Sequence, residues 1–419
     1  MVLEIHLANF FSIQSEVILE LRAGTLNTTQ SRRLTANVVE HKNQEVLKTI
    51  GIFGANASGK SNILKAIRLC VNIVTTSHLN NENSVFPFQP FKFEGYPQKP
   101  SRFFIRFIHE EVEYEYAFSL TQQKILTESL YHYPNGRRAK VFERDERLGN
   151  AKKEKYSFGG SVIKRPLDVA KSTSEKALFI SRASQMDRDI PKKIFHFFDR
   201  QFVTAPNYAG YTNLYKLPDE TKIHLLKALR LADSDIIDFS QKMVPKPFQH
   251  SPSNPFVLED RMEWPKSQEI KIETHHRTAP EVSFDLMTEE SDGTRKLFFL
   301  VLTFLDAIKN NKLLIMDEIG TSLHLHVVNY LIQLFHSGEK AQLIFSSHHT
   351  YLLDLNKFRK DQVWFVNKTK SGNSELYSLY DFSDFRDTMD LEKAYLQGRF
   401  DSVPIMAYAM PDLEALTRN

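Results

Sequence analysis

The sequence predicts an α/β fold, with a mixed central sheet, an antiparallel β segment and an inserted helical stretch. Three observations predict it. A glycine-rich loop, GANASGKS (54–61), separates the short apolar run TIGIF (49–53) from a helical pattern. Residues 101–145 alternate as antiparallel strands do. The last third alternates apolar runs of strand length with helical ones, the pattern of parallel strands joined by crossovers.

Each element follows from local pattern. MVLEIHLANFFSI (1–13) reads as an edge or early strand, and VILELRA (17–23) suits a hairpin partner. A polar segment leads to TIGIFG (49–54), a β-branched and aromatic run. From Lys60, the apolar residues Ile63, Leu64, Ile67 and Cys70 keep a period of 3.6. SRFFIRFIHEEVEYEYAFSL, KILTESLYHYP and AKVFERD make the antiparallel run, with Pro134, Asn135 and Gly136 as turn residues. From about 170 to 240 the pattern is mainly helical and includes ETKIHLLKALRLADSDIIDFS (220–240). A proline-rich, irregular patch occupies 245–265, and strand-like text returns at 268–287. FFLVLTFLDAIKN, LLIMDE, HVVNYLIQLFHS, AQLIFSS, QVWFVNK and ELYSLYDF complete the alternation. Three segments result: 1–145, an inserted helical lobe at 146–268, and 269–419.

Composition narrows the class. With 419 residues, 42% hydrophobic and 25% charged, the chain can bury a sizeable core as a soluble globular protein. A net charge of +3 does not by itself argue for nucleic acid or an anionic membrane. Cys70 is the single cysteine, so no intrachain disulfide forms, which suits a reducing, cytoplasmic setting. The N-terminus lacks a basic region followed by a long apolar core. LFFLVLTFL (297–305), flanked by Lys296 and Asp306, is too short to span a bilayer and reads as a core helix. The basic pairs Arg32–Arg33, Arg137–Arg138 and Lys192–Lys193, and the KKEK run (152–155), read as solvated turns.

GANASGKS fits G-x-x-x-x-G-K-[ST] after a strand and before a helix, the context that gives the pattern its meaning. Gly54 and Gly59 permit backbone angles that aim successive N–H groups inward as an anion cradle. The helix start adds partial positive charge. Lys60 is placed to reach the β- and γ-phosphates, and Ser61 to set its hydroxyl on Mg²⁺. Gly54, Asn56, Ala57, Ser58, Gly59, Lys60, Ser61 and Asn62 are the candidate cofactor-binding residues. LLIMDE (313–318) is the matching second element, an apolar strand ending in Asp317 and Glu318. Ligands bind at that end of a parallel strand. Asp317 is the candidate metal residue, and Glu318 the candidate that polarises the attacking water.

The two elements are separated by most of the chain, so a large piece lies between them. In this respect, and in its ordered motifs, the chain resembles the ABC-type ATPases of the structural-maintenance-of-chromosomes class. Within that class it looks like the stand-alone bacterial ATP-binding proteins of abortive-infection and restriction-linked loci, including RloA-type and AbiL-type proteins and the ATPase half of the PARIS anti-phage system. HLANFFSI (6–13) resembles the first-strand element, and ESLYHY (128–133) with VFERD (141–145) the antiparallel subdomain. ESDGTRKL (290–297) sits where the signature sits, LLIMDEIGTSLH (313–324) is similar to Walker B plus D-loop, and IFSSHHTYLLD (344–354) to the switch-histidine segment. WFVNK (364–368) and AYLQGRF (394–400), followed by Pro404, resemble the family's C-terminal end. The chain departs from the family pattern at Ser346-Ser347-His348, where Thr-Thr-His is usual, at Asp292, and at Leu325 in place of a proline.

The resemblance implies an ABC/SMC-type P-loop NTPase head that hydrolyses ATP with Mg²⁺. It implies that the signature, Ser291 and Gly293, caps the ATP of another subunit, so that the heads form a homo-oligomer around nucleotide. On local pattern alone the same residues fit a solvent-facing helix cap. His348 becomes the γ-phosphate sensor, and Gln89 the candidate for a Mg²⁺-contacting loop. The function implied is sensor or scaffold of an anti-phage system whose nuclease or toxin effector is a separate chain and whose trigger is a nucleic acid or phage protein. An SMC-like DNA-binding or repair ATPase is the alternative.

Overall fold

The computed structural model of the chain describes residues 1–26, 28–42, 44–148, 154–160, 162–204, 219–232, 234–245, 268–320 and 323–403. The proline-rich patch from 246 to 265, Lys152, Lys153, Thr321, Ser322 and Pro404 lie outside them. The chain forms two units. One is Met1–Thr204 with Ala307–Ile319 and Leu334–Asn419, and the other is Ala205–Asp306 with Gly320–Gln333.

In chain order the elements begin with β1 (Val2–Ala8), β2 (Val17–Glu20), α1 (Thr29–Arg33), β3 (Val38–His41), β4 (Gln44–Leu47), β5 (Thr49–Phe53) and α2 (Lys60–Thr76). Next come β6 (Ser101–His109), β7 (Val112–Leu120), β8 (Ile125–Tyr133), β9 (Ala139–Asp145), β10 (Tyr156–Phe158), α3 (Pro166–Ser172), α4 (Phe179–Gln185), α5 (Asp189–Gln201) and β11 (Phe202–Val203). Then follow α6 (Asp219–Leu231), β12 (Ile236–Pro245), β13 (Gln268–His276), β14 (Ala279–Asp285) and α7 (Asp292–Lys309). The chain continues through β15 (Leu313–Met316), α8 (Leu325–Ser337), β16 (Gln342–Ser347), β17 (Val363–Lys368), β18 (Ser374–Ser378) and α9 (Leu391–Leu396).

The first unit is built on two sheets. The central one runs β11-β15-β16-β5-β17-β18. Its first five strands are parallel and β18 returns antiparallel to β17. Every residue of β5, β15 and β16 is buried. That burial on both faces is why these strands read as unbroken apolar runs rather than alternating ones. Because β5, β15 and β16 are parallel, the loop at 54–61, the carboxylates after Met316 and His348 all leave the same edge of the sheet.

The second sheet is antiparallel, ordered β10-β9-β8-β7-β6-β1-β2. β1 therefore lies inside a sheet, hydrogen-bonded to β2 on one side and β6 on the other, and is not an edge. β6 buries Phe103, Ile105 and Phe107 on one face, where Phe197 of α5 stacks on Phe107 at 4.1 Å. Glu128 on β8 accepts the backbone N–H groups of Phe179 and Ile180 at the start of α4 and so ties that helix to the sheet. Cys70 is wholly buried on α2, and burial pushes its thiol well above the ordinary value, in keeping with an apolar role.

The helical reading of 170–240 needs correction. α3, α4 and α5 belong to the first unit rather than to a separate lobe. In the second unit α6 stops at Leu231, where Ser234 N–H turns back to the Leu229 carbonyl. The β-branched pair Ile236–Ile237 then opens β12, the first strand of an antiparallel sheet β12-β13-β14. Helical periodicity in the sequence runs on across that turn, which is why the sequence reads as helix to residue 240. Phe239 of β12 packs edge-on against Phe298 of α7, and Lys222 of α6 pairs with Asp238 at 2.6 Å.

Candidate nucleotide site

The glycine-rich loop has the shape its residues were expected to give. Gly54 takes φ +155° and Gly59 φ +114°, and Ala57 joins them at φ +62°. Space as well as backbone angle demands glycine at position 59. A Cβ there would meet Ser374 Oγ at 2.0 Å and Ser12 Oγ at 2.8 Å. Those serines close the outer side of the loop: Ser374 Oγ donates to the Ser58 carbonyl (2.6 Å), and Asn62 Nδ2 donates to Ser12 Oγ (2.8 Å). Ser58 Oγ, buried inside the loop, has no hydrogen-bond partner among the described residues.

Lys60 begins α2 and is buried. Its Nζ donates to the carbonyls of Gly54 (2.7 Å) and Ala55 (2.9 Å), so the ammonium sits over the loop. Burial lowers its pKa, while Glu318 and Asp317 pull the other way. Ser61 Oγ donates to Asp317 Oδ1 at 3.1 Å, which joins the helix start to the end of β15. Asp317 Oδ1 also accepts from Ser346 Oγ at 2.6 Å. Glu318 is exposed and holds φ +52°, a left-handed angle uncommon for a non-glycine residue. His348 is exposed just beyond β16, its ring 4.2 Å from that of His349.

Gln89 has an exposed side chain, and its backbone carbonyl accepts from Phe11 N–H at 2.8 Å. Among the described residues no bond ties its side chain to Ser61 or Asp317. The HLANFFSI element holds the segment that carries Gln89: Asn9 Oδ1 accepts from Phe91 N–H (2.9 Å), and Phe10 packs on Phe88.

The signature residues lie in the second unit. Ser291 Oγ accepts the Thr294 N–H at 3.1 Å and so caps α7, as its residue type predicts. Ser291, Asp292 and Gly293 are all exposed, and Asp292 pairs with Arg295 of its own helix. Glu290, just before them, accepts from Thr274 Oγ1 and pairs with His276 Nε2 (2.8 Å), which fixes the turn to β13.

Sequence reasoning missed Ser12, Ser374, Ser346 and Arg68. Arg68, two helix turns beyond the loop, donates to the Ile315 carbonyl at 3.0 Å. Burial lowers its pKa, and Asp317 opposes that. Of these, Ser346 lies in a stretch that the sequence singles out, Ser346-Ser347-His348, and Ser12 in another, HLANFFSI (6–13).

A buried strand, a glycine loop, a lysine and serine opening a helix, and a carboxylate on a neighbouring parallel strand bonded to that serine define a P-loop NTPase site. Residues 50–354 match the family described as "AAA domain, putative AbiEii toxin, Type IV TA system", and the chain belongs to that family of ATP-binding P-loop ATPases. No curated protein matches the sequence. Among solved structures it is similar to an SMC head bound to the C-terminal winged-helix domain of ScpA (17% identity, 94% of this chain and 99% of that one, TM-score 0.40). It is similar also to the SMC head domain from Thermotoga maritima (12%, 90% and 98%, TM-score 0.38). A third is the Pyrococcus furiosus Smc head domain with extended coiled coil, bound to the C-terminal domain of ScpA (16%, 95% and 98%, TM-score 0.40). No helix among the described residues is long and apolar enough to cross a membrane.

Proposed function

We propose that the chain is an ATP hydrolase whose ATP is held between copies of itself, and that the assembly is the sensor or scaffold of an abortive-infection system acting through a separate effector. The observation that carries the reading is the Lys60–Ser61–Asp317 arrangement. It supplies a buried cation over the glycine-rich loop and a hydroxyl–carboxylate pair at 3.1 Å beside it. The donor set is all oxygen, which suits Mg²⁺. Ser61 and Asp317 would hold the ion, which when bound neutralises phosphate charge.

The chain's own groups supply the rest. Lys60 and the loop N–H groups bind and orient the phosphates. Ser58 Oγ has an unused hydrogen-bonding capacity inside the loop. Glu318 Oε accepts a proton from the attacking water, and His348 is the candidate for sensing the terminal phosphate. The exposure of Ser291 and Gly293 supports their use in trans: a hydroxyl and a backbone N–H at the start of an 18-residue helix are open to another copy. Family membership supports the abortive-infection setting.

The test is assembly. Glu318→Gln with ATP and Mg²⁺ is expected to accumulate a dimer or larger species by light scattering. Ser291→Arg in the same background is expected to abolish that species while ATP affinity stays within about 3-fold, since a contact in trans adds nothing to the monomer's site. A Glu318→Gln chain that binds ATP and remains monomeric would overturn the sandwich.

A further inference from the structure

We propose that Ser346 is a positioning residue for hydrolysis: its hydroxyl couples the Ser61–Asp317 corner to the backbone that holds Glu318. The proposal rests on the ATPase reading above. β16 lies between β15, which ends in the carboxylates, and β5, which leads into the lysine loop. On the β5 side Ser346 stays in register opposite Ile52. On the other side the β15–β16 ladder ends at Met316 opposite Phe345. Beyond that point Ser346 continues the connection. Its carbonyl accepts from Ile319 N–H at 2.9 Å, and its Oγ accepts from Glu318 N–H at 2.7 Å. The same Oγ donates its only hydrogen to Asp317 Oδ1 at 2.6 Å.

Two features make this hydroxyl more than one bond among many. Glu318 sits at φ +52°, a conformation that persists only where neighbouring contacts over-determine it. Both backbone N–H bonds at that bend, from Glu318 and Ile319, end on Ser346. Ser346 is also fully buried, at 0% exposure, so water cannot replace a lost hydroxyl. Asp317 Oδ1 is shared with Ser61 Oγ at 3.1 Å. Any group that competes for that oxygen acts on the Glu318 backbone through one hydroxyl.

Ser346→Ala and Ser346→Cys are expected to lower kcat for ATP by roughly 10- to 100-fold, the scale of one unmet buried hydrogen bond. KM and nucleotide Kd should stay within about 3-fold, because Lys60 and the loop are untouched. Ser346→Thr, which keeps the hydroxyl, is expected to recover most of kcat. In a Glu318→Gln background Ser346→Ala should add nothing. Amide exchange at Glu318 should accelerate in Ser346→Ala, measured on the full chain without nucleotide. A Ser346→Ala chain that turns over like its parent overturns the proposal, as does Ser346→Thr failing as badly as Ala while Kd rises in step, which marks a packing role. Should the parent hydrolyse no ATP, the functional reading falls, and unchanged exchange at Glu318 would then overturn this inference independently.

Discussion

The two ends of β5 are built on opposite terms. At its start, Thr49 Oγ1 accepts from Gln362 Nε2 (2.6 Å) and bonds His336 Nε2 (2.8 Å), while Asn37 Nδ2 donates to Gln362 Oε1 (2.7 Å). Lys48 Nζ donates to the carbonyls of His336 and Gly338. Beside them Gln342 bridges Val2 and Leu47. All of these residues except Gly338 and the apolar pair are polar, and their bonds are mutual. At the far end, five residues later, Gly54, Ala57, Gly59 and Glu318 hold positive φ, and Ser58 Oγ is buried without a partner among the described residues. One strand therefore carries a saturated polar core at its start and a strained, under-satisfied edge at its end. The difference teaches where this chain keeps its stability and where it keeps free capacity for a ligand.

That contrast makes predictions, the largest at the ligand end. Gly59→Val forces a side chain into the 2.0 Å gap to Ser374 Oγ at φ +114°. ATP affinity by equilibrium titration is expected to fall roughly 1,000-fold, about 4 kcal/mol. A near-normal Kd would break the claim that this end is built for phosphate.

At the other end the effect is on folding. His336 is buried beside Lys48, and burial first, then that cation, depress its pKa to about 4. Burial and Lys48 keep the ring neutral at neutral pH, and in that form it keeps its 2.8 Å bond to Thr49 Oγ1. The sign follows from linkage: the unfolded chain takes up a proton near pH 6.5 that the folded chain refuses until about pH 4. The stability is fully present above 6.5 and is lost as pH falls across that window, by up to about 3 kcal/mol. His336→Gln should flatten the window in denaturant titrations. Thr49→Val should cost about 1–3 kcal/mol by removing the hydroxyl that one Gln362 N–H and His336 Nε2 share, with ATP affinity unchanged. The smallest effect is Ser58→Ala. Losing an unpartnered hydroxyl should leave the chain as stable or more stable by up to about 1 kcal/mol, while ATP binding weakens. A loss of stability there would blur the two ends.

The geometry of the candidate site was largely legible in the sequence, because it is set locally. Eight consecutive residues set the loop, and an apolar run followed by Asp317 and Glu318 sets the carboxylates. The expected mixed central sheet with an antiparallel β segment is also what the chain builds. What was illegible depends on partners far along the chain. Nothing local marks Ser12 or Ser374 as walls of the loop, or Ser346 as a second support for Asp317. Nor does local periodicity separate α6 from β12, because Ile236 and Phe239 are apolar at a spacing that a helix also allows. Pairing with β13 makes that choice, and a single strand does not encode its neighbour.

The wall around Gly59 has a consequence for the order in which this molecule matures. Residues 54–61 emerge early from a ribosome, whereas Ser374 emerges more than three hundred residues later. A nascent chain thus carries the lysine loop and Ser12 long before it carries the Ser374 part of the loop's outer side. The wall that Ser374 gives the loop is in place only once β18 has been made and has docked, late in synthesis.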